Sequence, residues 1–391
     1  MTDSAKCRMV KLGDVCEVVS GATPKTSVSE YWNGDIAWTT PADLSRLSGK
    51  YLENTPRKLT QLGFDSCATS MLPAHSVLLS SRAPIGLVAI NIIPVCTNQG
   101  FKSLIPDASV DAGYLYYWLK SETRRLQSLG TGATFKELSK KTVERIEVPL
   151  FPMEYQKRVV GILDRADAIR AKRRQLLADY DELPRSLFVE MFGGKTFPNV
   201  KSGVLMPDMR NGLSPSKRGA ATAKVLTLSA ITQGGFNVAA VKEGTFDIEP
   251  PQDKRVSSHD FMMCRGNGNK SLVGVGAYSK EDLPELVFPD TIIAGRVNTE
   301  KVLLPYLEMA WRSKSVREQI EKSARTTNGT YKVNQQSLSN ISIPLPPLPL
   351  QREFARRVEA IAAVRAKVER ALALDDELFA SLQSRAFRGE L

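Results

Sequence analysis

The stretch GNGNKS at 266–271, directly after Arg265, concentrates side chains able to do chemistry. It offers two side-chain amides (Asn267, Asn269), the Lys270 ammonium and unhindered backbone N–H groups. The GxxxxGK[ST] spacing that lets a lysine reach phosphates over an amide cradle is missing, so a nucleotide-hydrolysing loop is excluded. Two readings remain: Arg265, Asn267, Asn269 and Lys270 direct donors at the bases or phosphates of a nucleic acid, or the segment is an ordinary β-turn. Lys25 and Thr26 follow SGATP, and Lys217 and Arg218 follow NGLSPS. Cations after a turn and beside hydroxyls suit phosphate oxygens, with a solvated loop as the alternative. Asn98 and Gln99 in TNQGFK carry amides of the kind that pair bidentately with adenine, or that satisfy a buried turn. Arg82 in SSRAPIG is the one strong donor of its stretch, and a structural turn explains that stretch equally well.

Catalytic patterns are missing from the same sequence. There is no HExxH, GxSxG, PD-(D/E)xK or paired-carboxylate cluster, no NPPY-like or DPPY-like tetrapeptide, and no FxGxG loop for S-adenosylmethionine. The expectation is a chain that is not itself an enzyme. Two histidines, His75 and His259, and five scattered cysteines without a CxxC pair disfavour zinc and a disulfide framework, and fit a reducing cytoplasm. No apolar run reaches the ~18 residues a membrane span needs, and MTDSAKCRMVKLGD has no apolar centre of a secretory signal.

The 391 residues carry a net charge of +11, which points to a polyanionic partner. The charge is unevenly placed: residues 1–150 hold +3, 195–345 hold +6, and 151–194 and 346–391 hold +1 each. A basic helix lying on a membrane is therefore disfavoured, and a polyanion should meet the regions outside 151–194 and 346–391.

Those regions belong to an internal repeat. Residues 146–194 align without a gap to 341–389 with 18 identities in 49 positions, among them Pro149/Pro344, Gln156/Gln351, Arg170/Arg365 and Asp181/Asp376. Weaker echoes precede this block in the same order: VVSGATPK and MRNGLSPS, YLYYWLKS and YLEMAWRS, GTGATFK and TTNGTYK. The chain is thus two copies of one unit, a variable globular part followed by a uniform segment. The predicted divisions are 1–150, 151–194, 195–345 and 346–391.

The uniform segments predict long helices behind proline-rich N-terminal stops. Val160, Leu163, Ile169, Leu176, Leu183 and Leu187 recur at helical spacing in the first, and Val358, Ile361, Val368, Leu372 and Leu378 in the second. Such stripes bury against a partner helix, and each is the only match for the other. Pro184 is expected to kink or end the first helix. The globular parts show short β-rich runs between Gly/Pro turns (76–81, 87–96, 102–106; 224–232, 271–278, 285–297) and one clear helix each, at 111–128 and 305–323. Each reads as an α+β domain.

The doubled "I-x-[VI]-P-L-x-P-x-x-x-Q" lead into a long helix, in IEVPLFPMEYQKR and ISIPLPPLPLQRE, resembles the specificity subunits of type I restriction–modification enzymes. KLGDVCEVVSGATPK, WTTPADLS, TNQGFKSLIP and GTGATFKELS are similar to the first recognition domain of that family, whereas MPDMRNGLSPSKRG matches only loosely. The resemblance implies two tandem α+β target-recognition domains, each reading half of a split target in double-stranded DNA. It implies two helices paired as an antiparallel coiled coil that acts as spacer. It further implies two methyltransferase subunits docked on the helices and restriction/translocase subunits in the holoenzyme. S-adenosylmethionine belongs to the methyltransferase subunits, and this chain holds no cofactor.

A helix of 36 residues at about 1.5 Å per residue spans about 54 Å, which bounds the separation of the half-sites at about 16 base pairs. Because the globular copies differ, the expected target is asymmetric. The competing reading is a duplicated adaptor that touches no DNA. Replacing Lys25 or Lys217 with Ala should weaken binding to every duplex sequence and lower the slope of affinity against salt by about one. A salt titration that superimposes variant and parent removes that lysine from the phosphate contacts.

Overall fold

Each long helix starts where proline forbids anything earlier. In this computed structural model, which describes residues 7–132, 136–216, 219–327 and 329–391, the helices span Met153–Phe192 and Leu348–Ala386. Lys217 and Arg218 lie outside the described residues. The carbonyl of Pro152 accepts from the N–H groups of Tyr155 and Gln156, and that of Pro347 from Leu350 and Gln351. The first helix does not end at Pro184, which lies inside it. Beyond the proline, Leu187, Met191 and Phe192 are buried in an apolar core, and that burial outweighs one missing backbone hydrogen bond.

By compactness the chain divides into one unit of Met1–Gln175 with Glu369–Leu391, and another of Leu176–Val368. Each holds a globular part and half of each long helix.

In the first unit a five-stranded sheet runs in the order Cys16–Ser20, Lys102–Pro106, Val77–Leu79, Val88–Asn91, Tyr51–Leu52. A smaller sheet sets Trp32–Thr39 between Arg57–Leu59 and Cys96–Thr97. The helix Ala112–Ser121 buries seven of its ten residues in the core, including Tyr114, Tyr117 and Trp118. The second unit repeats the plan. Its larger sheet orders Asp208–Asn211, Ile292–Arg296, Asp260–Cys264 and Gly276–Tyr278, and a second sheet is centred on Ala221–Leu226 and Leu283–Val287. The helix Leu304–Arg312 buries Tyr306, Leu307, Ala310 and Trp311.

The repeated glutamine shows how each globular part is tied to its helix. Gln156 is fully buried; its Oε1 accepts from Asp111 N at 2.8 Å, and its Nε2 donates to Ser109 O and Phe151 O. Gln351 is equally buried, accepting from Leu303 N at 2.9 Å and donating to Lys301 O and Pro346 O. One side chain thus satisfies three backbone groups that burial would otherwise leave unpaired. The tyrosines repeat too: Tyr114 donates to Pro149 O at 2.7 Å and Tyr306 to Pro344 O at 2.6 Å.

Within each unit the long helices pair. In the first, Arg170 binds Asp376 at 2.6 Å and lies over the Phe379 ring at 4.2 Å, and Arg173 binds Asp375. In the second, Arg365 binds Asp181 at 2.7 Å. Arg170 and Asp181 are the repeat equivalents of Arg365 and Asp376, so the two ion pairs are one interaction made twice, as in an isologous interface.

The pairing stripe departs from the apolar pattern of the sequence. Leu163 and Leu187 are buried, and Val160, Val358 and Ile361 are partly buried against the cores. Val368 and Leu372 are half-buried. Ile169, Leu176, Leu183 and Leu378 are instead exposed, at 40% or more. The less exposed positions lie one residue further on, at Arg170, Leu177, Pro184 and Phe379. A seam advances by steps of three and four, and Leu163, Ala166, Arg170, Arg173, Leu177, Tyr180, Pro184, Leu187 keep that rhythm. Charged side chains neutralised across the seam occupy places where an apolar stripe was sought.

Gln156→Glu turns a donor toward two carbonyl oxygens into a carboxylate. The acid can still donate once when protonated, so folding should raise its pKa. Stability should then be greatest at low pH and fall as pH rises through that value. Denaturant midpoints of this variant at pH 5 and pH 8 check the sign, and a higher midpoint at pH 8 refutes it. Gln156→Ala should cost about 3 kcal/mol at either pH.

Candidate nucleic-acid interface

Strand ends gather the flagged residues of the first unit into one loop cluster. The loop after Cys16–Ser20 lies against the turn after Cys96–Thr97: Ala22 N donates to Thr97 O, and the Thr23 hydroxyl meets the Gln99 amide. Only glycine fits at position 21, because a Cβ there would run into the carbonyl oxygens of Thr97 and Asn98. Lys25 and Thr26 are exposed on this loop, two and three residues beyond Thr23. Asn98 is half-buried, and its Oδ1 accepts from Gly100 N at 2.9 Å, so its amide oxygen helps to close a turn. Arg82 is not a free donor: Nη1 lies 3.2 Å from Glu137 Oε2, while Lys102 Nζ lies 3.4 Å from the other carboxylate oxygen.

The second unit packs its loop at Gly212 in the same way. A Cβ at Gly212 would run into Phe288 O and Pro289 O, as at Gly21. Arg265 is half-buried and donates to Asp290 O at 3.2 Å. Asn267 Oδ1 accepts from Asn269 N, and Asn269 Oδ1 from Ser271 N and its hydroxyl. GNGNKS is therefore a pair of side-chain-closed turns, which leaves Lys270 exposed, its Nζ 5.9 Å from the Tyr331 ring centroid. The structure thus brings together Lys25, Thr26, Asn98 and Gln99 in one unit, and Arg265, Asn267, Asn269 and Lys270 in the other.

Sequence reading overlooked three cations beside these clusters. Arg57 stacks on Trp38 at 4.6 Å and Trp32 at 6.0 Å, placed there by the cross-strand register Trp38↔Arg57, which no local motif announces. Arg325 and Lys332 are exposed on a small sheet with Gly266–Asn267. The Asn-Gly pair in TTNGTYK is a sequence signal for a hairpin there. Burial pushes the thiol of Cys264, next to Arg265, up to about 11, and that of Cys96, beside Thr97, likewise to about 11. Among the described residues no group of three His, Cys, Asp or Glu could hold a metal ion, and no helix is long and apolar enough to cross a membrane.

Residues 5–178 match the model of the type I restriction modification DNA specificity domain. The stretch up to residue 178 is thus similar to the DNA specificity domain of type I restriction–modification systems.

Among its relatives, the type I restriction enzyme MjaIX specificity subunit of Methanocaldococcus jannaschii is 37% identical over 185 residues, covering 46% of this chain and 42% of that protein. The EcoKI specificity subunit of Escherichia coli is 25% identical over 339 residues, covering 80% of this chain and 73% of that protein. The chain thus spans less than half of the first relative and about three quarters of the second. The fold is that of a chain solved within a type I restriction–modification system (TM-score 0.65, 18% identity, 98% of both chains). It is also that of the S subunit from M. genitalium (TM-score 0.56, 12% identity, 99% of this chain and 97% of that one).

Gly21→Ala should push the 21–26 loop off the Thr97–Gln99 turn without touching the helix pair. The expected result for this specificity-subunit homologue is DNA affinity lowered at least about tenfold, with helical content kept. Unchanged affinity by fluorescence anisotropy would show that the two loops need not meet to bind.

Proposed function

We propose that this chain is the DNA sequence-recognition subunit of a type I restriction–modification enzyme, with each globular part reading one half of an asymmetric bipartite target in double-stranded DNA. The observation that carries this reading is the contrast between frame and loops. The frame is duplicated to the level of single hydrogen bonds, at Gln156 and Gln351 and at Tyr114 and Tyr306. The loops that Gly21 and Gly212 hold in place present different side chains on that frame. Frames that match at these joints but carry different loops suit two readers of different half-sites.

In this proposal the globular parts are the target-recognition domains 1–150 and 195–345, and the helices set the spacing between the half-sites. Two methyltransferase subunits dock on the helices and contribute S-adenosylmethionine and the adenine chemistry, and restriction/translocase subunits complete the holoenzyme. This chain contributes selection of the site and no bond-making step. Lys25, Thr26, Asn98 and Gln99 serve the first half-site, and Arg265, Asn267, Asn269, Lys270 and the Lys217–Arg218 pair serve the second. Arg82 contributes only if Glu137 releases it.

Removing one heptad from both helices keeps the seam in phase and shortens each by about 10.5 Å, close to three base pairs at 3.4 Å each. Sequencing the methylated sites in cells carrying the full enzyme should show the same two half-sites with a spacer about three base pairs shorter. A spacer of unchanged length would refute the helices as ruler.

A further inference from the structure

The two units carry opposite charges at one shared backbone position. Glu137 is bridged to Arg82 on one side and Thr131 on the other. Lys332 pairs with Gly266 on one side and Arg325 on the other. The next residue confirms this register, one position on from the sequence echo that sets Lys136 against Lys332: Leu138 N donates to Ser81 O, and Val333 N to Arg265 O. In the first unit the position is thus a carboxylate clamped by two cations, Arg82 at 3.2 Å and the nearly buried Lys102 at 3.4 Å. In the second, Lys332 is exposed, its stem passing over Gly266, with exposed Arg325 alongside. Among the described residues no carboxylate is bridged to Lys332, Arg325 or Lys270.

We infer that Glu137 is a positioning residue that withholds Arg82 from DNA phosphates, so that the second unit supplies most of the sequence-independent affinity and the first discriminates. A carboxylate at this position offsets one of the two cations and holds the guanidinium in an internal pair, so a duplex gains less from the first unit unless base contacts add to it. The lysine at the same position in the second unit attracts any duplex. This rests on the DNA-recognition reading and adds a division of labour to it.

The test uses the full chain and a fluorescent random-sequence duplex, titrated from about 0.05 to 0.3 M salt. Glu137→Gln should bind about three- to tenfold tighter at 0.1 M salt, with a salt slope steeper by about one, because one phosphate contact is gained. Adding Arg82→Gln to that variant should abolish the gain, whereas Arg82→Gln alone should change little. Lys332→Gln should weaken binding and flatten the slope by about one. A Glu137→Gln variant that melts like the parent and keeps its slope overturns the proposal, as does an Arg82→Gln variant that by itself flattens the slope. If Glu137→Gln does not fold, the single Arg82→Gln and Lys332→Gln slopes still decide: equal losses refute the division. Parent protein that binds no duplex at all would instead overturn the DNA-recognition reading.

Discussion

A buried primary amide is the constraint on which this molecule rests. Gln156 and Gln351 each stand in a buried joint between a long helix and the loop that leads into a globular helix, and each closes three backbone groups. Few side chains can do this, because the joint asks for one acceptor and two donor protons in fixed directions. Serine is too short, and a carboxylate has the wrong polarity. The prolines just upstream remove competing backbone donors and fix where the helix begins, so the amide always meets the same partners.

The seam between the helices follows a different logic. It is not a continuous apolar zipper. Arg170 with Asp376 and Arg365 with Asp181 place the same pair in both units. Arg173 with Asp375 has as its repeat counterpart Val368 with Tyr180. Partly exposed pairs of this kind add little stability, but they penalise a slipped register, since a shift by one heptad leaves charges facing apolar side chains. That accounts for the tolerance of polar residues in a stripe that also contains Leu163, Leu187 and Phe354.

Much of this was legible in the amino-acid order. The gapless repeat exposed the twofold plan, and the proline-led starts located both helices. Gly/Pro punctuation marked many of the strands. What stayed hidden depends on contacts across long sequence separations. Ile169, Leu176 and Leu183 look like seam residues because they are apolar and evenly spaced, yet the neutralised Arg170 outcompetes Ile169 for the inner position. Arg82 looks like a free donor until the chain returns 55 residues later with Glu137. Asn98, Asn267 and Asn269 look like base readers, but turn geometry uses an oxygen of each. Arg57 acquires meaning only from the strand that sets it on two tryptophans.

The unit formed by 176–368 is one uninterrupted stretch, whereas the other is assembled from two stretches on either side of it. Ala386 is fully buried in that discontinuous core; Phe379, Leu382 and Phe387 pack against it, and Tyr155 donates to Ala386 O from 231 positions away. On the ribosome, then, the unit encoded first is completed last: its core stays unfinished until the later unit has been synthesised, and a truncated product leaves the earlier one unsealed. Nascent chains broken off before residue 369 hold only one finished unit, which ties completion of the other to translation of 369–391.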